Sequence, residues 1–147
     1  MKKVLFIFLL AFAVYLTGCT DDDDDINSSY YNTPVISKTT DALAYSLVAD
    51  YYTQTAGYNL SFTSDSLAYS LIIANYFSGI GSLRIKDTSG TIIYEETLQG
   101  NKIYTITEAD KGIPGKFEID FDRFTGTVNF ALAKSSTNWS LSISPTI

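Results

Sequence analysis

Three acidic side chains, Glu118, Asp120 and Asp122, alternate with Phe117, Ile119 and Phe121. Successive side chains of a strand point to opposite faces, so these carboxylates share one face and the apolar residues the other. Two carboxyls set roughly 5–10 Å apart can hydrolyse a glycosidic bond, and a carboxylate row also offers oxygen ligands to Ca²⁺. One flat strand makes no cleft, however, and a solvated outer face is the expectation. Glu95-Glu96 are adjacent in one strand and cannot pair with each other. The chain has no histidine, and Cys19 is its one cysteine. Ser-His-Asp and Cys-His nucleophile systems, Cys/His zinc sites and haem ligation by His or Cys therefore cannot be built within it. Gly79-Ile80-Gly81 is no phosphate loop and reads as turn geometry. No catalytic residue, metal or cofactor is assigned, and the expectation is a protein that is not an enzyme.

Aromatic side chains are the better functional signal. Ten of the eleven tyrosines follow Cys19, and the single tryptophan is Trp139. Exposed rings on a sheet can stack on sugars, although Tyr, Phe and Trp at strand spacing are mostly core. Trp139 is most simply core by that rule. Tyr30-Tyr31 and Tyr51-Tyr52 are not both placed inside by any alternation, so Tyr51, Tyr52 and Trp139 are the candidate ligand-binding residues. The whole chain carries a formal charge of −6. Removing residues 1–19 takes away Lys2 and Lys3 and leaves 8 basic against 16 acidic residues, near −8. No basic patch is present, so nucleic acid is not an expected partner.

The N-terminus gives an address. Lys2 and Lys3 precede Val4 to Leu16, an apolar run of 13 residues, short of the roughly 20 that a membrane-spanning helix needs. A basic tip before a short apolar core reads as a secretory signal. Leu16-Thr17-Gly18-Cys19 resembles the lipobox of bacterial lipoproteins. The resemblance implies removal of residues 1–18, a diacylglyceryl group on the Cys19 sulfur and acylation of the new amino group, hence attachment to a membrane. Several acyl chains, at about 0.8 kcal/mol per buried CH₂, hold stably. The competing reading is a plain secretory signal with a chance cysteine. Asp21, Asp22, Asp23, Asp24 and Asp25 then form a run that repels itself and stays solvated. It resembles the acidic surface-export signal of Bacteroidota lipoproteins, which implies an outer-membrane protein facing the cell exterior; a periplasm-facing location is the alternative. A glycine-free linear run does not wrap a Ca²⁺ ion. Residues 19–40 read as lipidated cysteine, acidic run and tether, with order possible near Val35-Ile36. With the aspartates the tether spans roughly 25 Å as a coil and about 60 Å extended.

Residues 41–147 read as one all-β domain. Period-two alternation runs through Leu43, Tyr45, Leu47, Ala49 and Tyr51, through Leu67, Tyr69, Leu71 and Ile73, and through Val128, Phe130 and Leu132, with Trp139, Leu141 and Ile143 last. Asp41 to Tyr52 also fits a short helix capped by Asp41, though strand is the expectation. Turn chemistry marks Thr55-Ala56-Gly57, Thr63-Ser64-Asp65, Asp87-Thr88-Ser89-Gly90, Gln99-Gly100-Asn101, Gly112 to Gly115 and Thr125-Gly126. The spacing predicts a single β-sandwich of about 8 antiparallel strands. Leu43-Ala44-Tyr45-Ser46-Leu47 recurs as Leu67-Ala68-Tyr69-Ser70-Leu71. Phe77-Ser78-Gly79 is echoed by Phe124-Thr125-Gly126, each expected to be a corner with its Phe in the core.

From Asp65 to Lys134 the chain resembles the small immunoglobulin-like sandwich domains of Bacteroidota lipoproteins. The likeness rests on the two Phe-Ser/Thr-Gly corners and on the hairpin from Asp87-Thr88-Ser89-Gly90 into Ile92-Ile93-Tyr94, and it implies architecture, not activity. Asp65-Ser66-Leu67 resembles the O-glycosylation site of exported Bacteroidota proteins, with Ser66 as acceptor; a turn entering a strand is the alternative. Together these readings point to a non-catalytic surface lipoprotein whose sandwich binds a glycan or a protein. The alternatives are a structural or assembly subunit of an envelope complex and, third, a carboxylate-dependent hydrolase.

Overall fold

The computed structural model describes residues 30–108 and 111–135. The described residues form an all-β, antiparallel sheet with no helix: β1 (Val35–Thr39), β2 (Ala42–Asn59), β3 (Leu67–Asp87), β4 (Ile92–Leu98), β5 (Lys102–Glu108) and β6 (Pro114–Lys134). The segment 41–52 belongs to β2, so strand and not helix is correct there. β1 lies inside the stretch read as tether and pairs with β2, Ile36 opposite Tyr45.

The lengths of the strands differ from the sequence expectation, and the last expected strand, at Trp139, Leu141 and Ile143, lies outside the described residues. Six strands are present among the described residues, and β2, β3 and β6 run 18, 21 and 21 residues. Each contains a segment that reads in sequence as a strand end: Thr55-Ala56-Gly57 in β2, Phe77-Ser78-Gly79 in β3, Thr125-Gly126 in β6. These segments sit inside or beside register shifts, between Ala49 and Gln54 of β2 and between Ala74 and Ile80 of β3, both against β6. Bulges bend a strand without ending it. Here they fold the whole sheet double. Phe117 and Phe130 are thirteen residues apart in β6, about 43 Å if the strand were straight; their stacked rings have centroids 5.7 Å apart.

The crease divides the sheet into facing halves. One contains β1, the starts of β2 and β3, the end of β6, and β5; the other contains the ends of β2 and β3, the start of β6, and β4. Rings from the two halves meet between them: Tyr45 on Phe117 at 5.6 Å, Tyr69 on Tyr94 at 4.7 Å and Tyr94 on Phe130 at 6.0 Å. Leu47, Leu71, Ile73, Leu83, Ile85 and Val128 are buried with them. Burying such side chains contributes about 1.5–3 kcal/mol each and supplies the main drive for folding. The repeated pentapeptide has a simple place: its two copies flank β6, so Leu43 and Tyr69 both pair with Leu132, and both tyrosines point inward.

The outer faces of the two halves differ. On the half with β4, Glu118 of β6 binds Lys86 and Lys116, each at 2.8 Å, and Arg84 binds Glu95 at 2.5 Å. On the half with β5, one row reads Val35, Ser46, Asn129, Ile72, Ile103 and the next reads Ser37, Ala44, Ala131, Ser70, Thr105, with no formal charge in either.

Candidate functional site

The crease is where backbone geometry is least ordinary. Tyr51, Asn75 and Arg123 have φ of 51°, 51° and 48°, in the left-handed region, and they lie on β2, β3 and β6 respectively. For an L-residue this conformation costs roughly 1–2 kcal/mol. Sequence explains how it is tolerated. Each bulge frees a backbone N–H from the ladder, and a neighbouring side chain accepts it. Tyr51 N–H donates to Thr125 Oγ1 at 2.9 Å, Arg123 N–H to Thr53 Oγ1 at 2.9 Å, and Tyr76 N–H to Asn101 Oδ1 at 2.9 Å. Asp50 N–H, next to the bulge, donates to Asn32 Oδ1 at 2.8 Å. Gly79, at φ +80°, allows β3 to press on β6: a Cβ there would sit 2.2 Å from the Arg123 carbonyl oxygen.

An open groove of about 360 Å³ follows from this bend. Its walls are Tyr51, Ser78, Gly79, Ile80, Asp122 and Arg123. Tyr51 is 66 % exposed because the bulge turns it outward, while Tyr52 turns inward onto Phe121 at 5.7 Å. Arg123 Nε lies 3.2 Å from Asp122 Oδ1, and both side chains are more than half exposed. Hydrogen bonds to Asp122 and then to Tyr51 hold the Arg123 guanidinium above its already high pKa. The groove therefore combines an aromatic face, an apolar patch at Ile80, a fixed cation with forked donors, and an acceptor carboxylate. That set suits a ligand with a C–H face and a rim of hydroxyls.

The second concave region lies over the charged half, about 250 Å³ floored by Gly57 and Ile119 and edged by Arg84, Lys116, Glu118 and Asp120. Its charges are engaged with one another. Both Glu118 oxygens are bound by ammonium groups, which hold its pKa down to about 2. Asp120 accepts a hydrogen bond from Thr55. Glu118 is thus an anion at neutral pH and is poorly suited to donate a proton. Glu118, Asp120 and Asp122 do share the outer face, as alternation requires. Among the described residues no three His, Cys, Asp or Glu side chains gather closely enough to hold a metal ion.

The residues singled out in the sequence are distributed unevenly. Tyr51 lines the groove; Tyr52 is half-buried and packs on the core. Ser66 is half-buried in a turn before β3, its N–H donating to Ser64 Oγ at 3.1 Å and its carbonyl accepting from Ser135 N–H at 2.8 Å. Tyr30 and Tyr31 are exposed. Of the two expected corner phenylalanines, Phe124 is fully buried but Phe77 is 82 % exposed. The bulge after Ala74 inverts the alternation, so Tyr76 fills the crease against Phe124 at 5.8 Å and donates its hydroxyl to the Gly79 carbonyl at 2.7 Å. The signal peptide (1–18), Cys19, Asp21 to Asp25 and Trp139 lie outside the described residues. Sequence reasoning named Asp122 only as a row carboxylate and missed Arg123, Ser78 and Ile80 as groove walls. The available signal was spacing: Phe121 to Phe124 is three residues, which breaks the period of two at Asp122-Arg123.

No family model matches the chain, and no curated protein matches it. Among solved structures it is similar to a chain of the disulfide-linked pili that form Bacillus endospore appendages, at 13 % identity and a TM-score of 0.40, over 70 % of this chain and 92 % of that one.

Proposed function

We propose that this protein is a lipid-anchored, outward-facing outer-membrane module that binds a glycan at the crease groove without catalysis. The anchor reading rests on sequence: Leu16-Thr17-Gly18-Cys19 behind a short apolar run, then five aspartates. The observation that carries the binding reading is Tyr51. A non-glycine residue stands in a left-handed conformation, largely exposed, beside an exposed Arg123–Asp122 pair. Strain of this kind persists where the surroundings over-determine it, and it clusters at ligand sites. Glycine would meet the backbone requirement without strain, so a large ring at this position points to a role for the ring. A sugar would lay its C–H face on Tyr51 and Ile80 and offer paired hydroxyls to Arg123 and Asp122.

The test is a glycan array followed by saturation-transfer NMR on the full chain, compared with Tyr51→Ala and Arg123→Ala. Binding by the parent and at least tenfold weaker binding by both variants is expected. Glycans that bind all three proteins equally, or none that bind at all, would sink the reading. Antibody labelling of intact cells checks the address, and labelling of the domain before the outer membrane is broken is expected.

A further inference from the structure

The outer face of the β5-bearing half is built as a ridge beside a trough. Ile72 and Ile103 are neighbours across β3 and β5, and Ile103 is 80 % exposed. Beside them Ala44, Ser70 and Ala131 floor a groove of about 290 Å³, closed on its other side by Val35, 66 % exposed at the β1 edge. Among the described residues no formal charge interrupts this surface, whereas the outer face of the other half is laced with ion pairs. The chain as a whole carries −6, so the repulsion between two copies is least where they approach through surface that bears no charge.

We propose that this face docks a second copy of the chain, forming a two-fold dimer sheet on sheet. A ridge next to a trough is self-complementary under a two-fold axis: the Ile72–Ile103 ridge of each copy lies in the Ala44–Ala131 trough of the other. Small trough residues let the two sheets come within the usual packing distance of about 10 Å. Area sets the strength. Four strands contributing about seven residues each and the five of β1, about 4.8 Å apart at about 3.3 Å per residue, give a footprint of about 520 Å² per copy. The pair removes about 1,040 Å² from water, just past the roughly 1,000 Å² that separates a specific interface from a chance contact. The dimer is therefore weak and reversible, with a dissociation constant of about 1–100 μM.

Sedimentation equilibrium of the full chain in density-matched detergent tests this. A monomer–dimer equilibrium in the micromolar range is expected. Ile103→Lys and Ala131→Lys are each expected to raise the dissociation constant at least tenfold, while Thr97→Lys on β4 leaves it unchanged. Ile103 is an exposed edge residue, so Ile103→Lys decides alone should Ala131→Lys fail to fold. A chain that stays monomeric at all concentrations overturns the proposal. So does a dimer indifferent to Ile103→Lys, which uses another surface. A monomer destabilised by Ile103→Lys overturns it as well, because its own chain then covers the face.

Discussion

Replacing Tyr69 by Phe is expected to make the protein more stable. Tyr69 is fully buried, stacked on Tyr94 with ring centroids 4.7 Å apart, and its hydroxyl has no hydrogen-bond partner. Burial, then the charge of Glu108 and the neighbouring Tyr94, pushes its pKa up to about 12. An unsatisfied buried hydroxyl costs about 1–3 kcal/mol of desolvation. Its removal leaves a gap of about 10 Å³, worth about 0.2 kcal/mol at about 24 cal/mol per Å³. The stack on Tyr94 survives, so the net gain is about 1–2 kcal/mol. Urea unfolding followed by far-UV circular dichroism measures it. With a slope of about 1–1.5 kcal/mol/M, the midpoint rises by about 1 M at constant slope. Tyr94→Phe is the internal contrast: Tyr94 pairs with the Tyr104 hydroxyl, which itself donates to Glu96 Oε2 at 2.9 Å, so that change costs about 0.5–1.5 kcal/mol. A Tyr69→Phe protein less stable than the parent by 1 kcal/mol or more would refute the reasoning, because the hydroxyl must then have a partner such as an ordered water.

Three further outcomes follow from the crease and the charged face. Gly79→Ala places a methyl 2.2 Å from the Arg123 carbonyl oxygen at φ +80°; a loss of about 3 kcal/mol or more in the same urea assay is expected. Tyr51→Gly relieves roughly 1–2 kcal/mol of backbone strain and gives back about 0.4–1 kcal/mol through a more flexible unfolded chain, so stability should hold or rise slightly while the proposed glycan binding is lost. Glu118 has its pKa lowered from 4.5 to about 2 by hydrogen bonds from Lys116 and then Lys86. Its contribution to stability is therefore complete above about pH 4.5 and is lost as pH falls through about 2. The melting temperature should drop across that window, and the drop should flatten when Lys86 and Lys116 are both changed to Met.

The alternation of Leu67, Tyr69, Leu71 and Ile73 made the all-β class legible, because side-chain direction in a strand is a local property. The carboxylate row was legible for the same reason. What period-two reading misplaced was the meaning of the breaks in it. Gly57, Gly79 and Gly126 are turn residues by local chemistry, and a turn and a bulge use the same residues. Which one forms depends on whether the next segment pairs with the same neighbour or a new one. β6 keeps both of its neighbours, β2 and β3, on either side of the crease, and so the strands bend instead of ending. That is a long-range fact with no local signature. Phe77 and Phe124 show the consequence: the echo Phe-Ser/Thr-Gly is real, and Ser78 pairs directly with Thr125, but the bulge in β3 sends one Phe outward and the other inward.

The same crease accounts for how one sheet presents three distinct surfaces. A flat sheet with unbroken alternation would place Phe117 and Phe130, thirteen residues apart in β6, on opposite faces and split the aromatic core. Folding it double puts the aromatic faces together, between Phe117 and Phe130, and turns the charged and uncharged stretches to opposite outer sides. The bend itself becomes the third surface, where backbone N–H groups leave the ladder and are held by Thr53, Thr125 and Asn101. These threonine and asparagine contacts are what allow Tyr51 and Arg123 to remain non-glycine. Losing one, as in Thr125→Val, strands the Tyr51 N–H and releases the tyrosine from its groove position. Its effect on the proposed glycan binding should therefore exceed its effect on stability, which is limited to about 1 kcal/mol for one hydrogen bond at an exposed edge. Equal retention of binding and loss of stability would show that the clasp supports the bend alone and leaves the ring's position to other contacts.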